Sequence, residues 1–363
     1  MSKHPSRLTQ FFVLTLFVPM TALVGGCTTS ADQPKVVSST DGVVISETQW
    51  NGWEALRLTS DSTTAVVVPD IGRVMHYGRV GDGDEGNVLW RDPALNGVPW
   101  DKEPGDWQNY GGDKAWPWPQ TDEEGWEQLQ EGGWPPPLPF RGVAWSSDVE
   151  GAVVRLDLPE IVEQLNVRVH RTVEMKPNGN LVVATTFEPV GGDGLDYGAW
   201  HVTQIPLQQA TAVVVGREEG ALAPNWMGND GRSGELFEFV RPLPDVGERP
   251  SAAIVPLEQS AKVGFDSDVL AAGLERPGGD VAFVQRVVLA EGERDLLAAD
   301  RAQIYASPRG EPGEDPGPWT ELEFAAPIGH GSRLSIEWSL VDLAEGEATD
   351  PVAVAKAAAS VLE

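Results

Sequence analysis

The segment Asn109-Tyr110-Gly111-Gly112-Asp113-Lys114-Ala115-Trp116-Pro117-Trp118-Pro119-Gln120 gathers an amide, a phenol, a carboxylate, an ammonium and two indoles around a Gly-Gly bend. That mixture suits a polyhydroxylated ligand. Flat indoles such as Trp116 stack on the apolar C–H face of a pyranose, and Asn109, Asp113, Lys114 and Gln120 bond its hydroxyl rim. A buried polar group aimed at a hydroxyl also discriminates strongly against analogues that lack it. The same residues have a plainer reading. The tryptophans then pack the loop onto a sheet, and Asp113 and Lys114 form a local ion pair.

Other residues could carry chemistry. In Thr320-Glu321-Leu322-Glu323-Phe324 both glutamates face one side of a strand, where like charges are mutually unfavourable. Paired carboxylates raise one pKa and can supply a general acid/base; a solvated strand face is the alternative. His201 shares a strand face with Thr203, while Trp200, Val202 and Gln204 share the other. Arg171 falls on the apolar face of an alternating strand, where a lone guanidinium needs an acidic partner or a ligand.

Metal chemistry has little support. His4, His76, His170, His201 and His330 show no metal-binding spacing. Asp82-Gly83-Asp84-Glu85-Gly86-Asn87 resembles a calcium loop only superficially, lacking the spaced oxygens and terminal Glu. It reads as a solvated hairpin turn. A single cysteine excludes an intramolecular disulfide and any multi-thiolate site. There is no nucleophile elbow, phosphate loop or dinucleotide fingerprint, so no cofactor is expected.

The elements that must position these residues are short β-type runs. Residues 43–47, 65–68, 153–158, 165–175, 180–188, 212–215, 281–289, 320–324 and 333–340 are rich in Val, Ile and Thr and separated by Gly, Pro, Asn or Asp. In 165–175, Val167, Val169, Val173 and Met175 alternate with Arg168, His170, Thr172 and Glu174. Asn178-Gly179 then favours a hairpin. Asp350-Pro351 before an Ala-rich run predicts a capped C-terminal helix. The expectation is an all-β chain of about sixteen strands, with one domain over 42–345 and the helix within 346–363. One stretch departs from the pattern: eight of the 14 tryptophans lie in 90–145, among dense Pro and Gly. A loop that long is usually functional or disordered, and its aromatic content argues against disorder.

Composition bounds the partners. Of 363 residues 41% are hydrophobic, enough for a sizeable core, and the net charge of −29 repels phosphate backbones, which argues against nucleic acid. Lys3, His4 and Arg7 precede an apolar stretch over 8–24 that fits a signal h-region better than a spanning helix. It ends at Val24-Gly25-Gly26-Cys27. This resembles a bacterial lipoprotein processing box, with 1–26 removed and Cys27 lipidated. Residues 27–41 then read as a Ser/Thr-rich tether. The expected location is the cell envelope, leaning toward the outer membrane, with membrane contact through the lipid alone. The oligomeric state is left open.

Several stretches together resemble the galactose-mutarotase-like β-supersandwich. They are Val68-Pro69-Asp70-Ile71-Gly72-Arg73-Val74, Asn87-Val88-Leu89-Trp90, Val169-His170-Arg171-Thr172-Val173, Lys262-Val263-Gly264-Phe265 and Glu321-Leu322-Glu323 with Trp338-Ser339-Leu340. The motif Gly111-Gly112-Asp113-Lys114-Ala115-Trp116-Pro117 is similar to an uncharacterised bacterial family, domain of unknown function 4380. The resemblance spans roughly 43–342. It implies an aldose-epimerase ancestry in which Glu321 or Glu323 maps to the general base, His201 to a histidine and Tyr110 to the place of another. Arg171 would line the site. Three functions are therefore compatible with the sequence: a carbohydrate-binding envelope lipoprotein, a sugar epimerase or mutarotase, and a non-catalytic structural or protein-interaction lipoprotein.

Overall fold

The computed structural model describes residues 34–100, 107–120, 126–129, 133–192, 194–207, 211–216, 225–226, 241–243, 252–255, 261–288, 301–307, 319–329 and 331–362. The signal region, Cys27 and His330 lie outside them.

The chain begins with β1 (Lys35–Thr40), β2 (Val43–Trp50), β3 (Trp53–Thr59), β4 (Thr63–Val68), β5 (Arg73–Arg79) and β6 (Asp113–Trp118). After the tryptophan-rich segment come β7 (Ser146–Glu150), β8 (Val153–Asp157), β9 (Val167–Met175), β10 (Leu181–Pro189) and β11 (Gly198–Pro206). Next are β12 (Thr211–Gly216), β13 (Asn225–Trp226), β14 (Arg241–Leu243), β15 (Ala252–Val255), β16 (Ala261–Phe265) and β17 (Ser267–Leu274). The last strands are β18 (Val281–Val287), β19 (Ala302–Ser307), β20 (Trp319–Ala325) and β21 (Arg333–Asp342), followed by helix α1 (Pro351–Ser360).

Two antiparallel sheets form from them. The larger runs β1-β2-β3-β4-β5-β6-β11-β20-β19-β16-β13, and the smaller β14-β15-β12-β17-β18-β21-β10-β9-β8-β7. The chain is all-β with one C-terminal helix, as the sequence implies. It has more strands than expected, because two- to four-residue pieces such as β13, β14 and β15 are too short to show a period. Residues 35–40, read from sequence as tether, are the edge strand β1.

The core lies between the sheets. β9 buries Val167, Val169, Val173 and Met175 against β10 and the opposite sheet, following the alternation of its sequence. Tyr77 ties the layers by donating toward the Gly179 carbonyl at 2.8 Å. Helix α1 covers the outer side of the smaller sheet, packing Val354, Ala355 and Ala358 onto Val213, Val215, Val269 and Ala271. Asp350 caps it, Oδ1 accepting from the Val352 amide at 2.9 Å.

Candidate functional site

Strand β6 sits mid-sheet between β5 and β11. Two left-handed glycines bring the chain into it, Gly111 at φ 85° and Gly112 at φ 71°. A Cβ on Gly111 would lie 2.2 Å from the Trp90 carbonyl oxygen, and one on Gly112 2.5 Å from that of Val74. Only glycine allows this approach. It sets a ladder in which the Gly112 amide donates to Trp90 at 2.8 Å and the Gln204 amide donates to Gly112 at 3.0 Å.

From that start β6 alternates, and its two charges part. Asp113 turns into the sandwich, where it pairs with Arg171 of the smaller sheet and accepts from Thr203 Oγ1 at 2.9 Å. Both partners of the ion pair are sealed from solvent. Burial raises the Asp113 carboxyl above its ordinary range, against the pull of Arg171 and Thr203. Arg171 also donates to the Gly72 carbonyl at 2.7 Å. The sequence requirement that Arg171 find an acidic partner is thus met from inside. The local Asp113–Lys114 pair does not form, since adjacent strand residues face opposite ways.

His201 lies on the same inner side, paired in register with Phe324 and Ala115. It is fully buried, and neither ring nitrogen has a partner among the described residues. Burial and the nearby Arg171 hold its pKa well below the ordinary value, so it stays neutral. Asp113, Arg171 and His201 therefore stand between the sheets, across the sheet from the two glutamates. His201 and the glutamates expected to act with it as acid and base thus lie on opposite sides of the sheet.

The outer side of the larger sheet carries a different set. Register brings Lys114 opposite Val202, Trp116 opposite Trp200, Glu323 opposite Val202 and Glu321 opposite Gln204. Lys114 Nζ reaches Glu321 Oε1 at 3.1 Å, and Gln204 Nε2 donates to the same oxygen at 2.9 Å. From the far side, Lys262 Nζ meets Glu323 Oε2 at 2.8 Å. Two ammonium groups thus converge above β20 from strands on either side of it. Each rests on an indole, Lys114 4.5 Å from the Trp116 centroid and Lys262 4.3 Å from that of Trp200.

Burial tunes these groups. Glu323, fully buried and beside Glu321, is pushed up to about 7 against the pull of Lys262. Desolvation brings Lys114 down to about 8, with Glu321 opposing. The face also carries unused hydrogen-bonding atoms. Glu323 Oε1, Gln204 Oε1 and the indole nitrogens of Trp116, Trp200 and Trp319 have no partner among the described residues. Buried polar atoms left so are uncommon and call for a ligand, a water or strain.

Four expected contacts are placed otherwise. Trp116 is buried in a cage of Trp107, Trp126, Trp134 and Trp200, with centroids 5.4–6.2 Å away. Its faces are occupied, so it holds Lys114 and packs the loop rather than stacking on a sugar. Tyr110 joins the cluster of Trp50, Trp53, Val66 and Val68, and its hydroxyl donates to Gln108 at 2.9 Å. Asn109 is buried just before the glycine pair. Gln120 lies past the end of β6, half-buried, its carbonyl accepting from the Trp126 amide at 3.2 Å. Sequence reasoning missed Lys262, Gln204 and Trp200 as partners. Gln204 and Trp200 were legible as one strand face, and only the strand order adds Lys262.

Among the described residues no group of His, Cys, Asp and Glu could hold a metal ion, and no helix is long and apolar enough to cross a membrane. The 82–87 segment is a short 3-10 turn whose Asp84 accepts from Trp50 Nε1 and Asn51 Nδ2.

No family model matches the chain, and no curated protein matches it in sequence. Solved structures do. A protein from Klebsiella pneumoniae subsp. pneumoniae MGH 78578, described as an aldose 1-epimerase, is 10% identical, with 88% of each chain covered and a TM-score of 0.50. One from Salmonella typhimurium, described as a mutarotase (YeaD), is 11% identical over 85% of this chain and 97% of its own, at 0.49. The galactose 1-epimerase from Lactobacillus acidophilus NCFM is 9% identical over 85% and 99%, at 0.45. Identities this low speak to the fold alone, and the fold is a galactose-mutarotase-like β-supersandwich.

Proposed function

We propose that this protein binds a carbohydrate on the outer face of its larger sheet, above β20. The carrying observation is the set of polar atoms without a partner among the described residues, Glu323 Oε1, Gln204 Oε1 and the Trp200 indole nitrogen, around two lysine–glutamate pairs, one buried and one part-buried. A sugar hydroxyl both donates and accepts, so a ring of hydroxyls can satisfy such a mixed set. Fold likeness to proteins described as epimerases agrees with this reading but does not carry it. The test is calorimetry against a panel of neutral and acidic monosaccharides. Binding that Glu323→Gln weakens supports the proposal; no heat with any sugar refutes it.

A second reading, sugar epimerisation or mutarotation, is favoured by one observation. Glu323, pushed to about 7, and Lys114, brought to about 8, make an acid–base couple near neutrality. Glu323 would be the base and Lys114 the acid, in place of His201. Activity would then rise as pH passes about 7 and Glu323 loses its proton, and fall as pH passes about 8 and Lys114 loses its own. Polarimetry on fresh α-sugars checks this, and a rate equal to buffer retires it.

The address and the finer kinship belong to the same proposal. The basic start, apolar run and Gly25-Gly26-Cys27 junction support a lipid-anchored envelope protein. The Gly-Gly-Asp-Lys-x-Trp-Pro motif at 111–117 supports kinship with domain of unknown function 4380. Metabolic labelling with a fatty acid, lost in Cys27→Ser, tests the anchor.

A further inference from the structure

The charge and donor inventory of this face names a ligand class, and the inference rests on the carbohydrate reading above. Among the described residues the cations Arg73, Lys114 and Lys262 stand on the outer side of β5, β6 and β16, and Arg301, opposite Ala325, falls on the same face. Two carboxylates, Glu321 and Glu323, face them. Arg73 is buried and, among the described residues, pairs with no carboxylate. It donates to the Gly111 carbonyl at 2.8 Å, and its guanidinium lies 5.9 Å from the Trp107 centroid, the ring that Lys114 approaches at 5.8 Å. Among the described residues cations thus outnumber carboxylates on this face, in a chain of net charge −29.

The hydrogen-bonding inventory leans the same way. An ammonium has three donors and no acceptor, and each lysine uses one donor on its glutamate. Among the described residues Trp116, Trp200 and Trp319 add indole N–H groups without a partner, while Glu323 Oε1 and Gln204 Oε1 are acceptors without one. A neutral sugar offers donors and acceptors in equal measure and leaves this excess unmet. A carboxylate accepts only, at about four lone-pair sites.

We infer that the ligand is a sugar acid of the uronate type, its carboxylate held between the Lys114 and Lys262 ammonium groups. Lys262 is the more accessible of the two lysines, its side chain 18% exposed. Arg73 acts through its field, its donors being turned to backbone carbonyls.

Calorimetry with matched pairs tests this: galactose against galacturonate, and glucose against glucuronate, with galactose 6-phosphate as a third arm. The acid member should bind at least about tenfold tighter than its neutral partner. Lys262→Met should bring that ratio close to one, and Lys262→Arg should keep most of it, with melting curves showing both variants folded. Equal or tighter binding of the neutral member overturns the inference and leaves the carbohydrate reading standing. Tighter binding of the phosphate overturns the carboxylate assignment, as does an unchanged ratio in folded Lys262→Met. Binding of no sugar overturns both.

Discussion

Replacing Asp113 by Asn removes one charge from the middle of the sandwich and little else. The amide keeps the carboxylate's shape and can still accept from Thr203. Arg171 then remains fully buried, with the Gly72 and Asp113 carbonyls as its other acceptors, at 2.7 and 3.3 Å. Stranding one partner of a buried ion pair costs about 3–5 kcal/mol. Unfolding entropy is about 2.1 cal/mol/K per residue, so a unit of roughly 330 residues over Pro34–Glu363 has about 0.7 kcal/mol/K. The melting temperature should therefore fall by about 4–7 °C. Scanning calorimetry at pH 7 reads it. The double variant Asp113→Leu/Arg171→Met should recover most of the loss, because an apolar pair of similar volume leaves no charge behind. A single variant that melts within about 1 °C of the parent would refute the reasoning. So would a sugar affinity abolished in a variant of unchanged stability, which would move Asp113 into the binding site.

Three further outcomes follow from the same geometry. Glu323 is ordinary near 4.5 when unfolded and sits near 7 when folded, so the stability its neutral form contributes is fully present below about pH 4.5 and lost as pH rises through about 7; unfolding free energies from urea titrations at pH 5 and pH 8 should differ by roughly 2–3 kcal/mol more in the parent than in Glu323→Gln. Lys114, near 8, begins to lose its proton at the upper end of that window in both proteins, so it drops out of the comparison. Gly112→Ala should cost at least about 1–3 kcal/mol from left-handed strain alone, with a clash against Val74 and Met75 added, seen as a lower denaturant midpoint. His201→Leu should leave sugar affinity within about threefold and stability equal or higher, since it removes two buried nitrogens without partners; a tenfold loss of affinity would return His201 to the site.

Much of the scaffold was legible, for a physical reason in each case. The β9–β10 hairpin follows from strict alternation and Asn178-Gly179, and the terminal helix from Asp350-Pro351 and its alanines. The need of Arg171 for an acid was readable from one charge on an apolar face. Its identity was not, because Asp113 comes from 58 residues earlier in the chain. The split of Asp113 from Lys114 would follow from strand alternation, had β6 announced itself. Its Trp-Pro-Trp sequence argues against a central strand, since Pro117 has no N–H for the ladder yet pairs in register with Ala199. Lys262 was hidden for another reason. Its meeting with Glu323 depends on the order β20-β19-β16, a long-range pairing that local pattern does not encode.

The most direct measurement is a crystal structure of the protein soaked in a mixture of neutral and acidic monosaccharides. The account predicts sugar density on the outer side of β20, within hydrogen-bond distance of Glu323 Oε1, Gln204 Oε1 and the Lys114 and Lys262 ammonium groups. Sugar bound elsewhere, with those atoms bonded only to water, would contradict it.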